Sequence, residues 1–214
     1  MLDTLDLFHP DLIAGIQSSE VAEVSADPGQ ARAVKTAARI QARRAKSEAH
    51  LAEILPARFG HGECWHVISH GDIDSLSYLA HAIAGVSHFD RVLISTWCMA
   101  RADLDRLAAW LDSGRIDQLD LYVGEIFPNQ YGDEYARLQE MAGIYGCGVV
   151  VARNHSKIML MSNAADDYYL VTESSANVNT NPRIEQTAIH VSHDLYDFYA
   201  EFFGGLKTID KRAA

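Results

Sequence analysis

The chain reads as an α/β domain built on a mixed β-sheet flanked by helices, preceded by an N-terminal helical extension. Three observations predict this. Short apolar runs of strand length alternate with segments whose apolar residues recur every three or four positions. Glycines and prolines punctuate the boundaries between them. Two neighbouring strand-like runs, joined by the polar turn at 162–167, form a hairpin within 157–172, so the sheet is mixed rather than wholly parallel.

In chain order, 30–55 is Ala-rich and free of Gly and Pro, a helix by propensity, and Pro56 closes it. Glu63 to Ile68 predicts a strand, and Ile73 to Ala84 a helix with Leu76, Leu79, Ala80 and Ile83 on one face. Asp90 to Trp97 is a second strand, Ala102 to Ser113 a helix stopped by Gly114, and the run around Leu119–Val123 a third strand. Tyr131 to Tyr145 is a helix ended by Gly146, since glycine accepts the left-handed conformation that follows a helix. Strands follow at 149–152, 157–161, 168–172 and 187–191, and Asp194 to Phe203 is the closing helix. We expect two domains, 1–56 and 57–214.

At 214 residues and 48% hydrophobic, the chain is long enough for one real core. Its net charge of −11 argues against whole-molecule electrostatic binding of nucleic acid. Charge is unevenly placed, however. Residues 1–30 carry six acids and no Lys or Arg, whereas 31–46 carry six bases and no acid. Arg32, Lys35, Arg39, Arg43 and Lys46 step by three or four and form a stripe on the predicted helix. That stripe is either a solvated face or a phosphate-tracking surface with Arg39 and Arg43 at its centre. Cys64, Cys98 and Cys147 lie far apart, with no metal or redox spacing, and are expected to be buried thiols in a reducing cytoplasm. The acidic start has neither a basic leader nor an apolar span, so no membrane association is expected.

The chemistry concentrates in one place. In Asn154-His155-Ser156-Lys157, strand alternation would send His155 and Lys157 to the same face and Ser156 to the other. An imidazole can attack a phosphate, and an ammonium beside it can hold the phosphoryl oxygens. Ser174-Ser175-Ala176-Asn177 and Glu185 follow after the hairpin.

The order His155-x-Lys157, hairpin, Ser174-x-x-Asn177 and then Glu185 resembles the phospholipase D superfamily over roughly residues 57–205. The resemblance implies a phospholipase D-like fold and a phosphodiesterase needing no metal or other cofactor. It implies His155 as nucleophile through a phosphohistidine, Lys157 and Asn177 on the non-bridging oxygens, and Ser174 in the turn lining the site. Glu185 would orient or charge-balance the histidine, and Ser175 and Trp97 are further candidates for substrate contact. The family uses two such motifs, whereas only His155 among the ten histidines here has a lysine two residues on. The resemblance therefore implies a homodimer that pairs two copies of His155, and a nuclease working in the cytoplasm.

Two positions depart from the family pattern. Ser162 stands where the family has Asp, with Asp166 and Asp167 further along as turn residues, and Glu173 replaces the Gly before the serine. Glu173 is expected to place an acid beside the phosphate pocket. The reading from another class is a catalytically silent module that docks a partner through 1–56. His66, His70 and Asp72 read as a loop after a strand rather than a zinc site, and Phe127–Tyr131 as a structural turn.

Overall fold

The computed structural model describes residues 36–178 and 183–209. The chain divides into two compact units, Met1–Ala42 and Arg43–Ala214. The acidic leader at 1–30 lies outside the described residues, as do the side chains of Arg39 and Arg43.

Helix α1 is Thr36–Ile54, followed by strand β1 at Cys64–Ser69, helix α2 at Ser75–Val86 and strand β2 at Phe89–Thr96. Helix α3 (Arg101–Asp112), strand β3 (Ile116–Gly124), the one-turn helix α4 (Phe127–Gln130), helix α5 (Gly132–Tyr145) and strand β4 (Gly148–Ala152) come next. Strands β5 (Ile158–Asn163), β6 (Tyr168–Ser174) and β7 (Glu185–Val191) lead to helix α6 at His193–Gly204. Among the described residues the expected elements are present, the first helix from Thr36; its expected start at 30–35 lies outside them. The Phe127 segment closes into a helical turn because Phe127 is fully buried, tilted against the Tyr131 ring and edge-on to the Tyr135 ring. Gly146 takes φ +69° at the end of α5, the stop its position predicts.

The seven strands run in the order β1-β7-β6-β5-β2-β3-β4. Strands β2, β3 and β4 are parallel neighbours, whereas β1–β7, β7–β6, β6–β5 and β5–β2 are antiparallel, giving the mixed sheet expected. Alternation along each strand divides the buried side chains between two faces. One face buries Met159, Met161, Ile94, Leu121 and Val123 with Leu76, Leu79, Leu104, Leu107 and Leu138 of the long helices. The other buries Leu93, Tyr122, Leu160 and Val171 under Tyr196 and Phe203 of α6. Among the described residues no helix is long and apolar enough to cross a membrane.

Helix α1 ends inside the second unit. Leu51 and Leu55 join its core. Arg44 is buried and bonds Asp74 at 2.9 Å, and it also bonds Asp103. Asp74 in turn caps α2 by accepting from the Ser77 N–H at 2.8 Å. Asp103 caps α3 through the Ala100 N–H at 2.7 Å. One arginine thus neutralises two buried helix caps, and burial holds the Asp103 carboxyl above the usual range.

Removing a partner from a buried charge network leaves an uncompensated charge. Arg44→Ala should cost about 3–5 kcal/mol in urea unfolding at neutral pH. Because the folded-state pKa of Asp103 is raised, its neutral form relieves the strain, so the deficit should shrink toward acid pH.

Candidate active site

The carboxyl ends of parallel strands β2 and β3 open beside the start of β5, the usual place for a ligand in an α/β sheet. Here β5 begins at Ile158, so His155 and Lys157 sit in the loop that enters the strand rather than on the strand itself. The pairing survives this correction. Lys157 Nζ lies 2.9 Å from His155 Nδ1 and donates to the His155 carbonyl at 2.6 Å. Ser156 turns the other way and shares a hydroxyl contact of 2.6 Å with Ser95 of β2.

Asn154 fixes this loop. Its Nδ2 donates to the Tyr122 carbonyl and to Ser95 Oγ, both at 2.9 Å, while its Oδ1 accepts from the Ser156 N–H at 3.0 Å and hydroxyl at 2.7 Å. Asn154 is buried, so one side chain ties the loop to β2 and β3 at once. The sequence shows Asn154 beside the histidine, but its role emerges only with the sheet order.

Lys157 is 9% exposed, whereas His155 is open to solvent. Burial pushes the Lys157 ammonium below the usual lysine range, and Cys98 and Glu185 pull it back up. An ammonium only donates, so the imidazole nitrogen facing it presents a lone pair. Trp97 lies against the histidine with ring centroids 5.4 Å apart. Gly124 makes room for that indole. A Cβ there would sit 2.5 Å from Trp97 Cδ1 and 2.8 Å from the Trp97 carbonyl.

The turn after β6 completes the face. The Ser174 N–H donates to the Lys157 carbonyl at 2.8 Å, which sets the turn directly beside the lysine. Ser174 Oγ contacts Thr187 Oγ1 at 2.8 Å and accepts from the Ala176 N–H at 3.0 Å. Ser175 is exposed, and its hydroxyl donates to Glu185. Glu185 is buried at the head of β7, and its charge acts on Lys157 rather than through a hydrogen bond to His155. The Asn177 carbonyl accepts the Ser75 N–H at the start of α2 (3.2 Å), and its Oδ1 is buried without a hydrogen-bond partner. His155, Lys157, Trp97 and the 174–177 turn with Glu185 therefore gather at one end of the sheet.

Glu173 is not beside that pocket. It faces the opposite side of the sheet, where it accepts from the Tyr199 hydroxyl of α6 and lies 3.1 Å from His190 Nε2. Burial and the neighbouring Glu173 push the Tyr199 hydroxyl up to about 12, so it remains a donor. Ser162 also faces α6, accepting from the Tyr196 hydroxyl at 3.2 Å. Asp166 and Asp167 belong to the turn at the far end of the hairpin, where Asp166 pairs with Arg58 at 3.0 Å.

Of the three cysteines expected to be buried, one is exposed. Cys98 is buried and Cys147 half-buried, but Cys64 is exposed because it faces outward on the edge strand β1. His66, His70 and Asp72 do not converge. Cys64 Sγ lies 3.3 Å from His66, whereas Asp72 accepts from the His70 N–H at 3.2 Å and approaches His50. Among the described residues, His88, Asp90 and Asp117 bring their donor atoms within 4.8 Å of one another. One His88 ring nitrogen lies 3.7 Å from an Asp90 oxygen and the other 3.1 Å from an Asp117 oxygen.

No family model matches the chain, and no curated protein matches it. Among solved structures, polyphosphate kinase from Porphyromonas gingivalis is similar at a TM-score of 0.50 and 12% identity. That match covers 70% of this chain and 27% of the kinase, so the chain spans about a quarter of its length. The fold is phospholipase D-like. TrmBL2, an archaeal chromatin protein with a novel mode of DNA binding, gives 0.47 at 11% identity over 78% of this chain and 60% of its own. Phosphatidylserine synthase from Haemophilus influenzae Rd KW20 gives 0.44 at 14% identity over 65% of this chain and 37% of its own.

Two outcomes follow from the geometry. Gly124→Ala should displace Trp97 from His155, shift the tryptophan fluorescence and cost about 1–3 kcal/mol in urea unfolding. The lowered pKa of Lys157 means that its charged form opposes folding. Its contribution to stability should therefore rise with pH between that lowered value and the ordinary 10.5, a slope that Lys157→Met removes.

Proposed function

We propose that the protein is a metal-independent phosphodiesterase, with nucleic acid as its leading substrate class, working through a phosphohistidine in a homodimeric site. The single observation that carries this reading is the exposed His155 imidazole held against the buried Lys157 ammonium. A phosphodiester repels nucleophiles through its anionic oxygens, and a cation in a poorly hydrated site offsets that repulsion far better than one in water. The order of the motif along the chain, and the fold that carries it, support the same assignment.

In the proposed reaction a phosphodiester enters over Trp97, and Lys157 Nζ turns from the imidazole to the non-bridging oxygens. Asn177 supplies an amide N–H to the same oxygens after rotation of its side-chain amide, whose two ends are interchangeable in shape. A His155 ring nitrogen attacks phosphorus and forms a P–N bond. The P–O ester bond breaks, and the leaving oxygen takes a proton from the His155 imidazolium of a second copy. Water then attacks the phosphohistidine and gives its proton to that second imidazole. The P–N bond breaks, and a phosphomonoester leaves. The second copy is needed because one His155 cannot be nucleophile and proton donor in the same step. Ile184, 68% exposed directly before Glu185, gives the site an apolar rim suited to such a contact.

The nucleic-acid preference draws on the basic helix. Within the described part of the helix, Arg44, which is not on the stripe, is turned inward to the helix caps while Lys46 of the stripe stays exposed; the phosphate-tracking role is assigned to the stripe, with Arg39 and Arg43 at its centre.

The test is cleavage of a DNA oligonucleotide and of a bis-aryl phosphate in excess EDTA. Wild type should remain active, and His155→Ala should lose at least about three orders of magnitude in rate. The rate should fall at alkaline pH, below the ordinary lysine value, as Lys157 loses its proton. Equal rates for wild type and His155→Ala, or full activity in a strictly monomeric protein, would contradict the reading.

A further inference from the structure

The starts of β2 and β3, at the opposite end of those strands from His155, bring together three donors that the proposed chemistry does not use. Parallel pairing sets Phe89 of β2 beside Ile116 of β3, and both are buried, which fixes the backbone at this corner. His88 precedes Phe89, and Asp90 and Asp117 follow the paired residues. The register thus carries one imidazole and two carboxylates to one place. Taking one ring nitrogen and one oxygen from each carboxylate, the three donor atoms lie within 4.8 Å of one another.

Two further observations point to a cation there. The corner is short of positive charge. Among the described residues, the two carboxylates face only the His88 ring, and no lysine or arginine pairs with either. The corner is also braced from outside. Asp90 Oδ2 accepts the Ala164 N–H of the β5–β6 turn at 2.6 Å and leaves Oδ1 on the His88 side, the kind of hydrogen bond that orients a ligating carboxylate. The His88 carbonyl accepts from Asn163 Nδ2 at 3.3 Å, and the Phe89 N–H donates to the Arg115 carbonyl at 2.9 Å. Donors held on paired strands in this way need little ordering when an ion arrives.

We propose that His88, Asp90 and Asp117 bind a divalent first-row transition cation of the zinc class. With bonds of about 2.0–2.2 Å to nitrogen and oxygen, such an ion separates adjacent donors by roughly 3 Å and opposite ones by roughly 4.3 Å. His88 Nε2 and Asp117 Oδ1 already stand 3.1 Å apart. Asp90 Oδ1 is 3.7 Å from the other ring nitrogen, and since an ion takes one nitrogen, rotation of the imidazole and of the exposed Asp117 carboxylate completes the set. Three protein donors leave the remaining positions to water. The imidazole favours this class over magnesium or calcium, which prefer all-oxygen sites. The ion would tie the starts of β2 and β3 to the β5–β6 turn. It stands apart from His155 and takes no part in the phosphodiesterase reading.

The experiment is calorimetric titration of the full-length, EDTA-stripped and desalted protein with Zn2+, alongside urea unfolding with and without the ion. One equivalent should bind, and the urea midpoint of the wild type should rise with zinc. His88→Ala and Asp117→Asn should each weaken binding by more than the roughly tenfold that even an outer partner is worth, and should lose the zinc-dependent rise. Asp117→Asn keeps the shape of the side chain, so it removes the donor without disturbing the strand. Cys64→Ser, His66→Ala and His155→Ala should bind as wild type does, so failure of this site and failure of the phosphodiesterase are read separately. No binding at millimolar zinc, or an affinity unchanged in both His88→Ala and Asp117→Asn, would overturn the proposal.

Discussion

The candidate site depends on one constraint, a lysine ammonium that the fold has largely removed from water. Lys157 carries its charge beside His155, with Glu185 and Cys98 as its electrostatic neighbours. Burial of a cation is costly unless polar or anionic groups compensate it, and the surrounding structure supplies them. The His155 carbonyl accepts from Nζ and the Glu185 charge acts on it, while the Ser174 N–H on the Lys157 carbonyl and Asn154 hold the loop in place. The same burial that disfavours the charge also lowers the local dielectric, so an arriving phosphate would meet an attraction much stronger than at an open surface. Stability and the proposed chemistry therefore pull on the same atom in opposite directions.

The two faces of the sheet keep separate tasks apart. Lys157 and the Ser174 turn lie on the side of the long helices, and Glu173 and Ser162 lie on the side of α6. Because neighbouring residues of a strand point to opposite faces, Glu173 can sit next to Ser174 in the chain without lying beside it in the site. The departures from the phospholipase D pattern at these two positions thus enter the packing of α6 through Tyr199 and Tyr196. They place no acid against the lysine.

Much of this was legible in the sequence, and the rest was hidden for identifiable reasons. Periodicity located the strands and helices because burial on one face is written locally. The Gly146 stop was legible for a similar reason, since the φ it needs belongs to one residue. That His155, Lys157, Ser174, Asn177 and Glu185 would lie near one another could be expected because their order along the chain resembles a known pattern. Asn154 and Gly124 were not readable as determinants, since their contacts with Tyr122 and Trp97 exist only once β2, β3 and the loop are assembled. Cys64 was expected inside because cysteine usually is, but an outward position on an edge strand overrode that preference. Arg44 sits in a run of bases whose spacing gives no sign of burial, and only the meeting of two helix caps turns it inward.

The central claim is a double displacement at phosphorus on His155. It is tested most directly by cleaving a phosphodiester that is chiral at phosphorus and determining the configuration of the product. Two successive in-line displacements through a phosphohistidine predict retention of configuration. Inversion would mean that water attacks phosphorus directly, and it would contradict the account, as would the absence of any turnover.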